Sequence, residues 1–212
     1  EGFDADCAIE LGRLPDREPA APRPDDTLTV ERWESLRALQ AGEHSLKCVV
    51  PKSWPMGVWA CRVRRGDAVS EPMALNAPGP WWWNGDGGES ASPGGWLRVF
   101  GKSLDFDGES RAVLRAGDGR DLALKPTDAD GYALRLALPA GLVDGEYRLL
   151  VHNGHGGDAA WRGCGTVVVR AREAWKSDLF NVRDFGPRPG EALLAALKKA
   201  EENGGGVVFL PR

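Results

Sequence analysis

Residues 133–151 read ALRLALPAGLVDGEYRLLV, and residues 45–63 read SLKCVVPKSWPMGVWACRV, aligning without a gap at an offset of 88. Pro51 matches Pro139, Gly57 matches Gly145 and Trp59 matches Tyr147. Each copy alternates apolar and polar residues on both sides of a connection containing Pro and Gly, the pattern of two half-buried strands joined by a turn. Period-two geometry sends Leu134, Leu136 and Leu138 inward to face Tyr147, Leu149 and Val151. In the first copy it sends Leu46, Cys48 and Val50 toward Trp59, Cys61 and Val63. The spacing predicts a hairpin in each copy, and therefore two related units in tandem.

Composition sets the outer bounds. The 212 residues, 42 % of them hydrophobic, exceed one average domain and suffice to bury real cores. Lys and Arg number 27 against 31 Asp and Glu, a net charge of −4 without a basic block, which argues against nucleic acid as a partner. No apolar run reaches the roughly 20 residues of a membrane span. The opening residues lack the basic and apolar regions of a signal peptide, and a chain that starts with Glu1 is expected to be processed or cut from a longer one. Cys7, Cys48, Cys61 and Cys164 show no zinc-ribbon spacing. Cys48 and Cys61 fall where the second copy has Leu136 and Leu149, so they are expected in a core, with a cross-strand disulfide as the alternative.

Outward from residues 133–151, short strands are predicted at 96–100, 112–115, 122–125 and 166–170, between Gly and Asp turns. Six or seven such strands in about 80 residues predict a sandwich. Here the chain resembles the IPT or TIG immunoglobulin-like domains, through WLRVFGKSL at 96–104 and LPAGLVDGEYRLLVHNG at 138–154. The resemblance covers 79–171 and extends more weakly to the first unit, whose early strands are obscured by the Pro-rich, charged stretch 14–26.

The chain ends in FNVRDFGPRPGEALLAALKKAEENGGGVVFLPR at 180–212. Leu193, Leu194, Leu197 and Ala200 recur at helical spacing, Glu191 lies near the positive end of the helix, and Gly204 is placed to stop it. Short strands are predicted at 180–182 and 207–210. Neither a G-x-G-x-x-G nor a Walker loop precedes the helix, which argues against a nucleotide-binding unit. The segment resembles the entry to the pectate-lyase-like right-handed β-helix superfamily, which includes rhamnogalacturonase-type and epimerase-type proteins. Asn181, Asp184-Phe185-Gly186 and the run from Asn203 to Pro211 carry the likeness. The resemblance implies that the helix caps the first coil. Where that family has Gly-Asp-Gly and Asp-Asp-Thr, this chain has Pro187-Arg188-Pro189-Gly190-Glu191, which leaves the bond cleaved open.

The expected fold is all-β: two tandem immunoglobulin-like β-sandwiches at 1–78 and 79–172, a linker at 173–179, and at 180–212 the start of a truncated right-handed parallel β-helix with a cap helix at 191–203. One coil cannot bury its own apolar face. Further coils are therefore expected beyond Arg212, and with them the catalytic residues, so none is named within these residues. The resemblance implies the accessory region of a secreted or cell-surface polysaccharide-degrading protein, a lyase or a glycoside hydrolase. A hydrolase would use two carboxylates, and a lyase a base that removes the proton α to a uronate carboxylate. The alternative is a non-catalytic adhesion protein with a β-helix stalk or binding platform. No cofactor is assigned to these residues, and calcium belongs, by the resemblance, with the missing coils. The expected partner is a polysaccharide; oligomeric state is open.

Nine Trp are a heavy load for this length, and three stand together as Trp81-Trp82-Trp83. Alternation sends Trp81 and Trp83 one way and Trp82 the other. Trp81 and Trp83 are the candidate carbohydrate contacts, and packing between two sandwiches is the other use of the same rings. His152 and His155 lie in a glycine loop without a well-placed third ligand, and Asp105, Asp107 and Glu109 lack the full calcium-loop pattern; both segments are expected to be turns. There is no G-x-S-x-G elbow.

Overall fold

The computed structural model describes residues 3–4, 6–16, 28–172 and 176–211. Most of the Pro-rich stretch 14–26 lies outside the described residues, as do 173–175 of the predicted linker, Trp175 included. The chain divides into two compact units, Glu1–Ala171 and Arg172–Arg212.

The first unit opens with β1 (Cys7–Arg13), β2 (Glu34–Leu36), β3 (Gln40–Gly42), β4 (Ser45–Lys47), β5 (Trp59–Arg65), β6 (Ala68–Val69) and β7 (Met73–Leu75). Five of these form a sheet in the order β2-β1-β5-β6, with β7 also paired to β5, while β3 and β4 make a separate hairpin. The predicted pairing of 45–50 with 59–63 is corrected: β4 pairs with β3, and β5 runs antiparallel to β1, Leu11 opposite Cys61. The seven-residue ladder to β1 outcompetes a hairpin whose connection holds Pro51 and Pro55, neither of which can donate to a ladder. Leu46 is only half-buried and Val50 is exposed. On the same sheet Glu10 is buried and binds the Nε of Arg62 and of Arg64 at 2.6 Å each, and Arg62 lies 3.9 Å from the centre of the Trp33 ring. The hydrogen bond from Arg64, joined by that from Arg62, outweighs burial and holds the Glu10 carboxyl below the usual carboxylate range.

There follow β8 (Gly79–Gly85), β9 (Ser90–Ala91), β10 (Trp96–Lys102), β11 (Arg111–Ala116), β12 (Asp121–Leu124), β13 (Pro126–Ala129), β14 (Ala133–Ala137), β15 (Gly145–His152) and β16 (Arg162–Val169). They form two sheets, β13-β14-β10-β8 and β12-β11-β15-β16-β9, with β9 parallel to β16 and the other pairs antiparallel. A single core cluster contains Leu97 and Leu134 from the first sheet with Leu114, Leu149 and Val167 from the second. The predicted hairpin at 133–151 is corrected in the same way as its counterpart, since β14 and β15 belong to different sheets. The inward set stands: Leu134, Leu136, Leu138, Leu149 and Val151 are all buried in that cluster. Alternation fixes which face of a strand is apolar and is silent on whether the facing strand is a ladder neighbour or lies across the core. The crossing is pinned where Tyr147 Oη donates to the Val143 carbonyl at 2.8 Å.

The β1–β5 sheet joins this two-sheet body through a small cluster of Leu14, Val58 and Ala160. Polar contacts reinforce the joint: Asp16 accepts from the Gly156 amide at 2.9 Å, and His155 lies 3.4 Å from Asp16 and 3.1 Å from Asp107.

The second unit contains β17 (Leu179–Asn181), α1 (Pro189–Glu202) and β18 (Val207–Phe209), with β17 and β18 parallel. Pro189 sits in the first turn, where its missing N–H costs nothing. Gly204, at φ 74°, and Gly205 close the helix by donating to Glu201 O and Ala200 O at 2.8 and 2.9 Å. The buried stripe consists of Ala192, Ala196 and Ala200, whereas Leu194 and Leu197, expected on the apolar face, are exposed. Small side chains let the helix approach Phe180 and Val208 closely, so the alanines take the inner face. Among the described residues, the regular structure of both units apart from α1 and short 3-10 turns is β-strand. No helix among the described residues is long and apolar enough to cross a membrane.

Candidate functional site

β8 is the edge of its sheet, which is why it tolerates Pro80. Its register against β10 shifts: Trp82 is opposite Phe100 and Pro80 opposite Gly101, leaving Trp81 as the extra residue of a bulge. A bulge re-aims the side chains beside it. Trp81 and Trp82 are therefore both exposed, at 65 % and 52 %, while Trp83 packs against the sandwich core. The predicted pairing of Trp81 with Trp83 is corrected to Trp81 with Trp82. Among the described residues, the buried cluster at the joint to the first sheet is Leu14, Val58 and Ala160 and holds none of these rings.

Trp82 stacks on Phe100 with centroids 4.2 Å apart and planes at 18°. Along β10, Leu97 and Val99 point into the core, so Trp96, Arg98 and Phe100 share the outer face. The Arg98 guanidinium lies 5.0 Å from the Phe100 ring, and Arg135, opposite Arg98 on β14, lies 5.8 Å from Trp96. The outer face thus carries a row of rings and guanidinium groups, Trp82, Phe100, Arg98, Arg135 and Trp96. Asp128 stands opposite Arg135 on β13. Such a row offers flat apolar faces together with planar, multidentate donors for hydroxyl or carboxylate groups.

The turn after β8 holds the row in place. Asp86 accepts from the Ser92 amide at 2.9 Å and from the Ser92 hydroxyl. Burial pushes the Asp86 carboxyl up, but these bonds and one from the Trp96 amide outweigh it and leave the carboxyl below its usual range.

The other sequence candidates are structural. His152 is fully buried against Trp161, its Nε2 is 2.8 Å from Gly157 O, and its Nδ1 accepts from the Gly154 amide at 3.0 Å. That arrangement admits only the neutral imidazole protonated at Nε2. Burial, foremost, lowers its pKa. Asp105 accepts from the amides of Gly108 and Ser110 at 3.0 and 3.1 Å, an Asx-type turn. All four cysteines are free thiols.

No residue preference marks the bulge, so alternation alone does not bring Trp81 and Trp82 together or point to Trp82 on Phe100. WLRVF nevertheless places Trp96, Arg98 and Phe100 on one face by alternation alone.

No family model matches the chain, and no curated protein matches it. Among solved structures, it is similar to a Bacteroides vulgatus protein provisionally described as DNA binding, 27 % identical over 40 % of this chain, with a TM-score of 0.32. It is also similar to SGBP-B of the Bacteroides ovatus mixed-linkage glucan utilization locus, in complex with a mixed-linkage heptasaccharide, 14 % identical over 82 % of this chain, with a TM-score of 0.32. The chain spans 42 % and 38 % of those two proteins' lengths, and superposition at that level transfers neither fold nor function.

Proposed function

We propose that this chain is a carbohydrate-binding accessory region of a secreted or cell-surface polysaccharide-degrading protein whose catalytic part is a right-handed β-helix. The observation that carries the proposal is the outer face of the β8–β10 sheet, where Trp82 stacked on Phe100 stands beside exposed Trp81 and Arg98. An exposed aromatic row of this kind, flanked by arginines, is suited to sugar rings bearing carboxylates.

The architecture is compatible with that role. Relabelled in chain order, the two sheets of 79–170 read D-E-B-A and C′-C-F-G-A′, an immunoglobulin-type order, and the Tyr147–Val143 bond resembles a tyrosine corner. In the second unit a parallel strand pair covered by an alanine-faced helix is compatible with the capped first coil of a β-helix.

The test is an assay of the whole protein containing this chain on pectic and other uronate polysaccharides. New reducing ends with unsaturated products identify a lyase, and reducing ends alone a hydrolase. Retention without turnover would replace the enzyme by an adhesion protein, and neither turnover nor retention contradicts the proposal altogether.

A further inference from the structure

A cleft of about 550 Å³ lies where the β1–β5 sheet meets the two-sheet body, and none of the outer-face rings is among the described residues that line it. Its walls include Trp54, Met56, Trp59, Leu75, Asn76 and Lys102. Trp54 and Trp59 are stacked, centroids 4.8 Å apart and planes at 12°, so each ring backs the other and the stack has an apolar outer ring face. Met56 and Leu75 are exposed beside them, 58 % and 36 %. The volume falls within the roughly 300–1,000 Å³ of small-ligand sites, which concentrate at junctions between structural bodies.

The polar side of the cleft is preset. Asn76 and Ser103 line it and are non-glycine residues in the left-handed region, at φ 61° and 53°. Both are held there by a single buried side chain: Asn153 Nδ2 donates to Asn76 O at 2.8 Å and to Ser103 O at 3.0 Å. Strain of this sort persists only where surrounding structure fixes it. Lys102 stands opposite Gly79 and lies across it, since a Cβ there would come within 2.9 Å of the Lys102 Cγ. Among the described residues Lys102 has no ion-pair partner, which leaves its ammonium available to a ligand.

We infer that this cleft binds a small ligand made of a ring with an apolar face and an acidic substituent, the ring lying on the Trp54–Trp59 stack and the acid meeting Lys102. A uronate sugar and an aromatic carboxylic acid share this chemistry. The inference goes beyond the outer-face reading and does not depend on it.

The test is calorimetric titration of the 212-residue chain carrying Trp81→Ala and Trp82→Ala, which removes the two exposed tryptophans of the outer face on which the proposed function rests. The probes are digalacturonate, its carboxyl-reduced neutral counterpart, and phenylacetate. Binding of digalacturonate identifies the sugar source, and binding of phenylacetate the aromatic acid. With whichever probe binds, Lys102→Gln lowers affinity about tenfold and Lys102→Arg restores most of it, while the weaker binding of the neutral sugar is unchanged by Lys102→Gln. Trp54→Ala, checked for folding by circular dichroism, abolishes binding. If neither acidic probe binds, or Lys102→Gln leaves the affinity unaltered, the inference is overturned, and the outer-face proposal is untouched.

Discussion

The side-chain amide of Asn153 donates to the main-chain carbonyl of Asn76 at 2.8 Å, tying the end of β15 to the connection between β7 and β8. Asn153 is fully buried, bonds Ser103 O as well, and accepts from the His155 amide at 3.2 Å through Oδ1. Asn153→Ala strands two carbonyls and one amide in the joint. Each such group costs about 1–3 kcal/mol when left without a partner, with relaxation and water recovering part. Urea unfolding of the variant is expected to show a loss of about 3 kcal/mol, and a change under about 0.5 kcal/mol would contradict the bonding described.

Trp82 and Trp83 are neighbours in sequence with opposite roles. Trp83 packs on the sandwich core, so Trp83→Ala should lower stability by about 2–3 kcal/mol, below the cost for a fully buried ring. Trp82→Ala removes a ring that is 52 % exposed and should cost about 1 kcal/mol or less, mainly its stacking on Phe100. Thermal melts of the two variants check the difference. Equal destabilisation would mean that Trp82 and Trp83 do not lie on opposite faces of β8.

His152 couples folding to pH. Burial lowers its pKa below the ordinary value of about 6.5, so the unfolded chain takes up its proton at higher pH than the folded chain does. Its contribution to stability is complete above about pH 6.5 and is lost as pH falls from there toward the lowered value. Urea midpoints measured from pH 7.5 to pH 5 should decline, and His152→Gln should be less stable at pH 7.5 but flatter over the same range. Parallel slopes for the two proteins would assign the decline to other groups.

Burial pushes the Cys164 thiol up to about 12, leaving almost no thiolate at pH 8. Iodoacetamide at that pH should label Cys164 in the folded protein at least tenfold more slowly than after denaturation. Mass analysis of the denatured chain without reductant should find four labelled thiols, in keeping with four free cysteines. Three or fewer would reveal a bridge.

Alternation was the most informative signal in the sequence. It placed Leu134, Leu136, Leu138, Leu149 and Val151 in one core, because burial on one face of a strand depends only on local period. It misassigned the partners, since strands flanking a short connection are as able to face each other across a sandwich as to pair in a ladder. The Trp run failed for a related reason: a one-residue bulge inverts the faces on one side of it, and no local residue preference marked it. In α1 the larger leucines suggested the inner face, but close approach to β17 and β18 favoured alanine. The cleft beside Trp54 was invisible because it is assembled from segments far apart in the chain.

Whether the outer face binds polysaccharide is read from retention of the 212-residue chain in gels containing polygalacturonate, compared with Trp82→Ala and Arg98→Gln. The parent chain is expected to be retarded, with retardation lost on Trp82→Ala and weakened by added salt and by Arg98→Gln. Unretarded migration of the parent chain, or equal retardation of the parent and the folded Trp82→Ala variant, would contradict it.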